Sequence, residues 1–270
     1  MYPEVLREHI QKCKKATHKP FGVNVPLLYP DIDKIMNIIH EEGVKIVFTS
    51  AGNPATWTSW LKERDITVVH VVPNVKLAKK CEERGVDAIV CEGFEAGGHN
   101  GKDEITSMVL IPQVADAVKI PVIAAGGIGD GRAIAAALAL GADGVQIGSR
   151  FAATLESSAH QNFKEAVVKA DDSATILTMK NLVPVRLLKN EFYEQVKEAE
   201  SRCASREELA EILGKRRAKK GIFEGDLIDG ELEIGQVSGL ITDIPSASEV
   251  FDRMLEEYRE AVKQLGFNAF

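Results

Sequence analysis

The stretch IPVIAAGGIGDGRAIAAALALGADGVQIGSRF, residues 120–151, decides the fold class. It opens on a short apolar run, Pro121 to Ala125, that breaks at Gly126-Gly127. An amphipathic segment follows, GRAIAAALALG, with apolar side chains at helical spacing and a glycine at its end. A second apolar run then breaks at Gly148-Ser149. Strand, helix, strand, with the strands apolar almost throughout, predicts a parallel sheet covered by helices on its faces.

Working outward, the same unit recurs. Strand-like runs stand at FGVNVP (21–26), KIVFTSA (45–51), TVVHVV (67–72) and DAIVCEG (87–93), ahead of PVIAAGG (121–127) and DGVQIGSRF (143–151). Helical segments such as DIDKIMNIIHEEG and LAKKCEERG separate them. An open doubly wound sheet and a closed (β/α)8 barrel both fit. The open sheet normally carries its glycine-rich fingerprint after the first strand, whereas here the phosphate-type glycines fall in the last two units, as in a barrel. The barrel is therefore the preferred reading, although six strands do not close an eight-stranded one.

Spacing singles out one loop. The strand starts are 20 to 24 residues apart except for the interval from 87 to 121, which is 34. The surplus is VCEGFEAGGHNGKDE (90–104), in which His99 is flanked by Gly97, Gly98 and Gly101. Loops after strand C-termini build the active site of parallel α/β folds, and glycines let something approach the backbone closely, so His99 is the candidate catalytic group. His9, His18, His40 and His160 fall on or beside predicted helices and read as solvated; His70 lies inside a strand and reads as a satisfied core residue. Gly126-Gly127 and Gly148-Ser149, at adjacent strand ends ahead of helices, offer backbone N–H donors for a phosphate.

Composition excludes several classes. The chain has 270 residues, 45% hydrophobic and 27% charged, ordinary for a globular protein. A net charge of −7 argues against a nucleic-acid surface, and the one dense basic cluster, KRRAKK (215–220), reads as a solvated helix end. Cys13, Cys81, Cys91 and Cys203 form no CxxC pair, which disfavours a zinc site or a disulfide scaffold and suggests a reducing cytoplasm. No segment reads as a membrane span or a secretory leader.

Together VCEGFEAGGHNG, IPVIAAGGIGDGRAIAAALALGADGVQIGSRF, FGVNVP, KNLVPVRLLKNEF and FEGDLIDGELEIGQVSGLI resemble the FMN-dependent nitronate monooxygenase and enoyl-acyl carrier protein reductase II family. The GGI and GSRF segments also resemble inosine monophosphate dehydrogenase barrels, but no comparable cysteine loop occurs here. The resemblance implies a (β/α)8 barrel with FMN at its C-terminal mouth. It implies that Asn24 hydrogen-bonds the flavin, that Glu92, Gly97 and Gly98 line the ring and ribityl side, and that Gly126, Gly127, Gln146, Ile147, Gly148 and Ser149 cradle the phosphate. His99 would be the acid/base or substrate-polarising group, suited by an ordinary imidazole pKa of about 6.5.

The family begins with a glycine-rich first strand and a second βα unit. This chain starts at the helix PEVLREHIQKCKK, so the expectation is a barrel lacking its first two strands, some 40 to 50 residues at roughly 22 per unit. Residues 1–170 would form this incomplete FMN-binding barrel. Residues 171–270, with KNLVPVRLLKNEFYEQVKEAE and REELAEILGKRRAKK read as helices and capping boxes at Ser205–Glu208 and Ser246–Glu249, would form a small helical domain over the mouth.

The resemblance leaves the reaction open. NAD(P)H-dependent reduction of trans-2-enoyl thioesters, with the acyl group on acyl carrier protein, is favoured by EGxExGGH, since the nitronate branch often has Gln where Glu92 stands. Oxidation of alkyl nitronates by oxygen is the alternative, and a non-catalytic remnant that has lost flavin is a third. A phosphate-sugar enzyme on a similar barrel accounts less well for the histidine loop. A small-molecule substrate, a homodimer, and neither metal, nucleic acid nor membrane complete the expectations.

Overall fold

The structure, a computed structural model, describes residues 2–267. Its strands are β1 (Gly22–Pro26), β2 (Ile46–Ser50), β3 (Thr67–Val72), β4 (Ala88–Glu92), β5 (Gly98–His99), β6 (Val122–Ala125), β7 (Gly144–Gln146), β8 (Thr175–Thr178) and β9 (Val185–Leu188). Six of them form a parallel sheet in the order β1-β2-β3-β4-β6-β7. Each of the six runs read from the sequence contains one of these strands. The sheet curls as in a TIM-like barrel, and among the described residues β1 and β7 each pair on one side only.

The helices are α1 (Pro3–Ala16), α2 (Ile32–Glu41), α3 (Thr58–Lys62), α4 (Val75–Glu83), α5 (Ser107–Ala115), α6 (Gly131–Ala139), α7 (Ser149–Ala152), α8 (Gln161–Val168), α9 (Glu191–Ser201), α10 (Arg206–Leu213) and α11 (Ala247–Phe267). None is long and apolar enough to cross a membrane. Several starts are fixed by polar side chains: Asn74 accepts the Leu77 N–H at α4, and Asp130 accepts those of Arg132 and Ala133 at α6.

The period-two geometry of the strands divides their side chains between two cores. Val47, Val68, Ile89, Cys91, Val122 and Ala124 face the helices and pack with Ile35, Ile39, Leu61, Ala78, Leu110 and Val114. The alternate positions, Val69, Val90 and Ala125, with Phe48, Val71 and Ile123 against them, fill the concave side. Both faces are apolar because both are buried, which is why the strands do not alternate in sequence.

After residue 170 the expected run of helices is corrected in part. KNLVPVRLLKNEF is not helical at its start: Val185–Leu188 form β9, buried at all four positions and antiparallel to β8 on one side and β5 on the other. The helix begins only at Glu191, where the Asn190 side chain accepts the Tyr193 N–H. Both sheet faces of β9 are covered, so the segment carries no polar alternation to distinguish it from a buried helix. At Ser246–Glu249 the expected box is reciprocal, with the Ser246 N–H donating to Glu249 and the Glu249 N–H to Ser246 Oγ. At Ser205 only the forward bond forms, because Glu208 turns to Arg202.

Helix α11 packs along α6. A Cβ on Gly131 would sit 2.2 Å from the Tyr258 nitrogen and 2.4 Å from the Met254 oxygen, so the two helix backbones touch there, and the Gly131 N–H donates to Glu257. Gly98 and His99 of β5, with Val183, Glu233, Ile234 and Val237, border the cavities at the mouth. The helix read over REELAEILGKRRAKK is shorter than expected: α10 ends at Leu213, Gly214 turns the chain at φ +63°, and Lys219–Phe223 form a separate π-helical turn, while the part-buried Arg217 donates to the terminal carbonyls of Ile212 and Leu213.

Candidate active site

Strand register aims the candidate residues. Asn24 pairs with Phe48, Glu92 with Ala125, and Ala125 with Gln146; Phe48 and Ala125 belong to the concave cluster, so all three point inward, Asn24 from the middle of β1 and Glu92 and Gln146 from the C-terminal ends of β4 and β7. Ala125, between Glu92 and Gln146, leaves room above the apolar layer.

Two cavities meet at these residues. One, of about 280 Å³, is lined by Gly97, Gly98, Gly126, Gly127, Gly148 and Ser149, with Glu95, Glu233, Ile234 and Val237 closing it. The other, of about 620 Å³, is lined by Asn24, Ser50, Pro73, His99, Asn100 and Val183. Glu92 and Gln146 line both. The histidine loop and the paired glycine turns, distant in sequence, therefore border two cavities that share Glu92 and Gln146 as walls. Ile147 is the exception among the candidates: it lines neither cavity, and its side chain packs against the outer core.

The glycines around His99 have specific neighbours. A Cβ on Gly97 would lie 2.4 to 2.6 Å from the backbone of Ile234 and Gly235. On Gly98, which has φ +76°, it would meet the Glu233 carboxylate at 3.2 Å, and on Gly101 it would meet Pro73 at 2.4 Å. The loop is glycine-rich because the 233–235 segment and Pro73 pack on it. Gly126 and Gly127 both have positive φ, and a Cβ on Gly126 would strike the Gly93 carbonyl oxygen at 2.7 Å. Gly148 differs: nothing in the protein lies within 4 Å of an added Cβ, so the room beside it belongs to the cavity. Ser149 Oγ accepts the Gly235 N–H at 2.9 Å and keeps its own proton free to donate.

Carboxylates dominate the electrostatics. Burial pushes Glu92 up to about 7. Glu233 is also raised by burial, and His99 opposes that rise; their Oε1 and Nδ1 atoms are 3.7 Å apart. Glu95 is engaged elsewhere, accepting the Ser107 N–H at 3.0 Å at the start of α5. An anion in the smaller cavity thus meets two carboxyl groups whose ionisation is already disfavoured and a third held by a helix N-terminus.

Other titratable groups are placed by packing. His70 pairs in register with Thr49 on the helix-facing side; its Nδ1 lies 2.6 Å from Thr49 Oγ1, its Nε2 has no partner, and burial lowers it to about 4. It is a core residue satisfied at one nitrogen. His160 caps α8 by accepting the Asn162 N–H. Cys91, buried among apolar side chains, is pushed up to about 11, away from thiolate chemistry. Glu95, Pro73, Val183 and Glu233 were not among the sequence candidates. The alternating Glu231-Leu232-Glu233-Ile234 was the available signal for Glu233, since it places two acids on one face of an extended segment.

This arrangement has close counterparts. A family model for nitronate monooxygenase matches residues 1–257. The (3aS,4S,5R,7aS)-5-hydroxy-7a-methyl-1-oxo-octahydro-1H-indene-4-carboxyl-CoA dehydrogenase of Rhodococcus jostii is 30% identical, over 97% of this chain and 84% of its own. A probable nitronate monooxygenase of Staphylococcus haemolyticus is 35% identical, over 94% of this chain and 84% of its own. The solved structure of FabK from Thermotoga maritima superposes with a TM-score of 0.94 at 40% identity, covering 100% of this chain and 85% of that one. With the match running through the curled sheet, the glycine turns and the histidine loop alike, the chain belongs to the nitronate monooxygenase family and is an oxidoreductase.

Proposed function

We propose that this protein is an FMN-dependent oxidoreductase that reduces trans-2-enoyl thioesters with NAD(P)H. The carrying observation is the pair of adjoining cavities: a glycine-lined chamber, whose backbone N–H groups suit an anionic tail, shares Glu92 and Gln146 with a larger one bordered by His99. That shape suits a ligand with a phosphate at one end and a planar ring at the other. Bound FMN would supply two-electron transfer between nicotinamide and substrate.

The residues present fit such a group. Gly126, Gly127, Gly148 and Ser149 would hold the phosphate through backbone N–H groups and the free Ser149 proton, in the room that a side chain at Gly148 would fill. Ile147 would contribute through its backbone, since its side chain packs in the core. Asn24, Gln146 and Glu92 would face the ribityl chain and ring, Gly97 and Gly98 would border them from the smaller cavity, and His99, exposed at the border of the larger cavity, would donate the proton that the substrate carbon receives. The apolar Leu28, Val71, Leu77 and Val183 would exclude water from the acyl chain.

The likeness to FabK, an enoyl-acyl carrier protein reductase II, and to a dehydrogenase whose name specifies a carboxyl-CoA substrate supports the thioester. The reading extends to acyl carrier protein as the thiol carrier. The nitronate reading has its own support in the Staphylococcus haemolyticus relative.

Purified protein that is yellow and releases FMN on denaturation is the first expected result. NAD(P)H oxidation driven by an enoyl thioester, without oxygen uptake driven by an alkyl nitronate, is the second. The reverse pattern assigns nitronate oxidation, and protein that stays colourless with added FMN overturns both.

A further inference from the structure

We propose that Glu233 is the positioning residue of His99, holding the imidazole through Nδ1 so that Nε2 faces the larger cavity. The inference deepens the reading of His99 as the proton donor.

It begins with topology. On one side of β9, Gly98 pairs with Arg186 and His99 with Val185, while the isolated bridge from Glu233 pairs with Leu187. The segment carrying Glu233 therefore continues the line of β5 along the same strand. Two pieces of chain far apart in sequence are laid end to end, and their side chains meet. His99 Nδ1 lies 3.7 Å from Glu233 Oε1, inside ion-pair reach and slightly beyond a hydrogen bond. The side chain of His99 is 66% exposed and that of Glu233 21%, so a small rotation of the freer imidazole closes the gap.

Glu233 has no competing partner. Among the described residues no side-chain or backbone donor hydrogen-bonds its carboxylate, although most of that side chain is out of water. A largely buried carboxylate without a donor is costly, and the imidazole N–H is the group within reach. Its approach depends on Gly98, which has φ +76°, and whose Cβ would crowd Glu233 Oε2 at 3.2 Å. Glu231, on the same face two residues earlier and 5% exposed, is raised to about 7 by burial and by Glu233, which favours a single negative charge on the pair.

A carboxylate facing one ring nitrogen fixes the proton there and sets the tautomer of the neutral imidazole. Glu233 does not exchange the catalytic proton in this scheme; it orients the ring, which takes a second proton from solvent at Nε2 and, as the imidazolium, gives that proton to the substrate carbon and returns to the Nδ1–H form.

Tautomers are read directly from the ring nitrogens in 15N-histidine-labelled protein, with the His99 signals assigned by their loss in His99→Ala. The neutral His99 ring is expected to carry its proton on Nδ1 in the wild type and in Glu233→Asp, and to shift toward Nε2–H in Glu233→Leu. In enoyl-thioester turnover, Glu233→Leu is expected to lower kcat at least about tenfold, with KM for the nicotinamide and FMN content little changed, and Glu233→Asp to recover much of the loss. A wild-type ring protonated on Nε2, or a tautomer indifferent to Glu233→Leu, overturns the proposal. The wild-type spectrum alone decides if the leucine variant does not fold. Should the tautomer respond as expected while His99→Ala turns over normally, Glu233 still positions the ring and the proton-donor reading of His99 is what fails.

Discussion

Replacing Glu92 by Gln should stabilise the protein, and by an amount that depends on pH. Glu92 stands at the end of β4, aimed into the mouth, with no hydrogen-bond donor among the described residues to compensate its charge. Burial raises it from the ordinary 4.5 to about 7. A raised carboxyl pKa means that the folded state binds its proton more tightly than the unfolded state does. Its contribution is complete below the unfolded value and is lost as pH rises through the folded one. At about 1.4 kcal/mol per pH unit, the interval from 4.5 to about 7 corresponds to about 3 kcal/mol. Above about pH 8 the wild type carries a buried negative charge that Glu92→Gln lacks, so the variant should be more stable there by about 3 kcal/mol, or roughly 6 to 10 °C in Tm for a chain of this size. The advantage should shrink steadily below about pH 7 and vanish near pH 4.5. Unfolding midpoints of both proteins by circular dichroism, in urea and on heating from pH 4.5 to 8.5, provide the measurement. An advantage that does not change with pH would refute the reasoning, because packing differences between Glu and Gln do not titrate.

Further outcomes follow from other contacts. His99→Ala should lose most turnover while retaining flavin absorbance; wild-type turnover in that variant would show the histidine to be structural. Gly131→Leu should cost about 2–4 kcal/mol, since the backbones of Tyr258 and Met254 cannot yield as a flexible side chain would, and a denaturation midpoint equal to wild type would contradict the α6–α11 contact. Gly98→Ala, at φ +76° and against the Glu233 carboxylate, should destabilise by about 1–2 kcal/mol and depress turnover, measured by urea unfolding and by the same assay; an unchanged midpoint would count against the left-handed turn.

The glycine-rich loop shows where a sequence-level inference held and where its reason changed. In the sequence, Gly97, Gly98 and Gly101 clear space around His99 for an approaching group. Something does approach, but for these three it is the chain itself: Ile234, Gly235, the Glu233 carboxylate and Pro73. Only Gly148, of the glycines that border the smaller cavity, has empty space where its side chain would stand. Ile147 likewise lay in a glycine-punctuated run whose spacing marked a turn, yet the turn sends its side chain into the outer core.

By itself the sequence determined the parallel sheet and the direction of its mouth. Those features are local: apolar runs of strand length, helices ended by glycine, and a long loop after β4 can each be read within one window. Strand period then aims Asn24, Glu92 and Gln146 inward once the register is known. Tertiary structure alone decided that Val185–Leu188 is a strand, because a run buried on every side has no periodicity of its own and becomes a strand only when Gly98-His99 and Thr175–Thr178 pair with it. The same non-local pairing brings Glu233 to His99 and closes the smaller cavity with Ile234 and Val237. The chemistry of the site rests on contacts between segments far apart in the chain, and such contacts are fixed by packing and register rather than by any residue's neighbours in sequence.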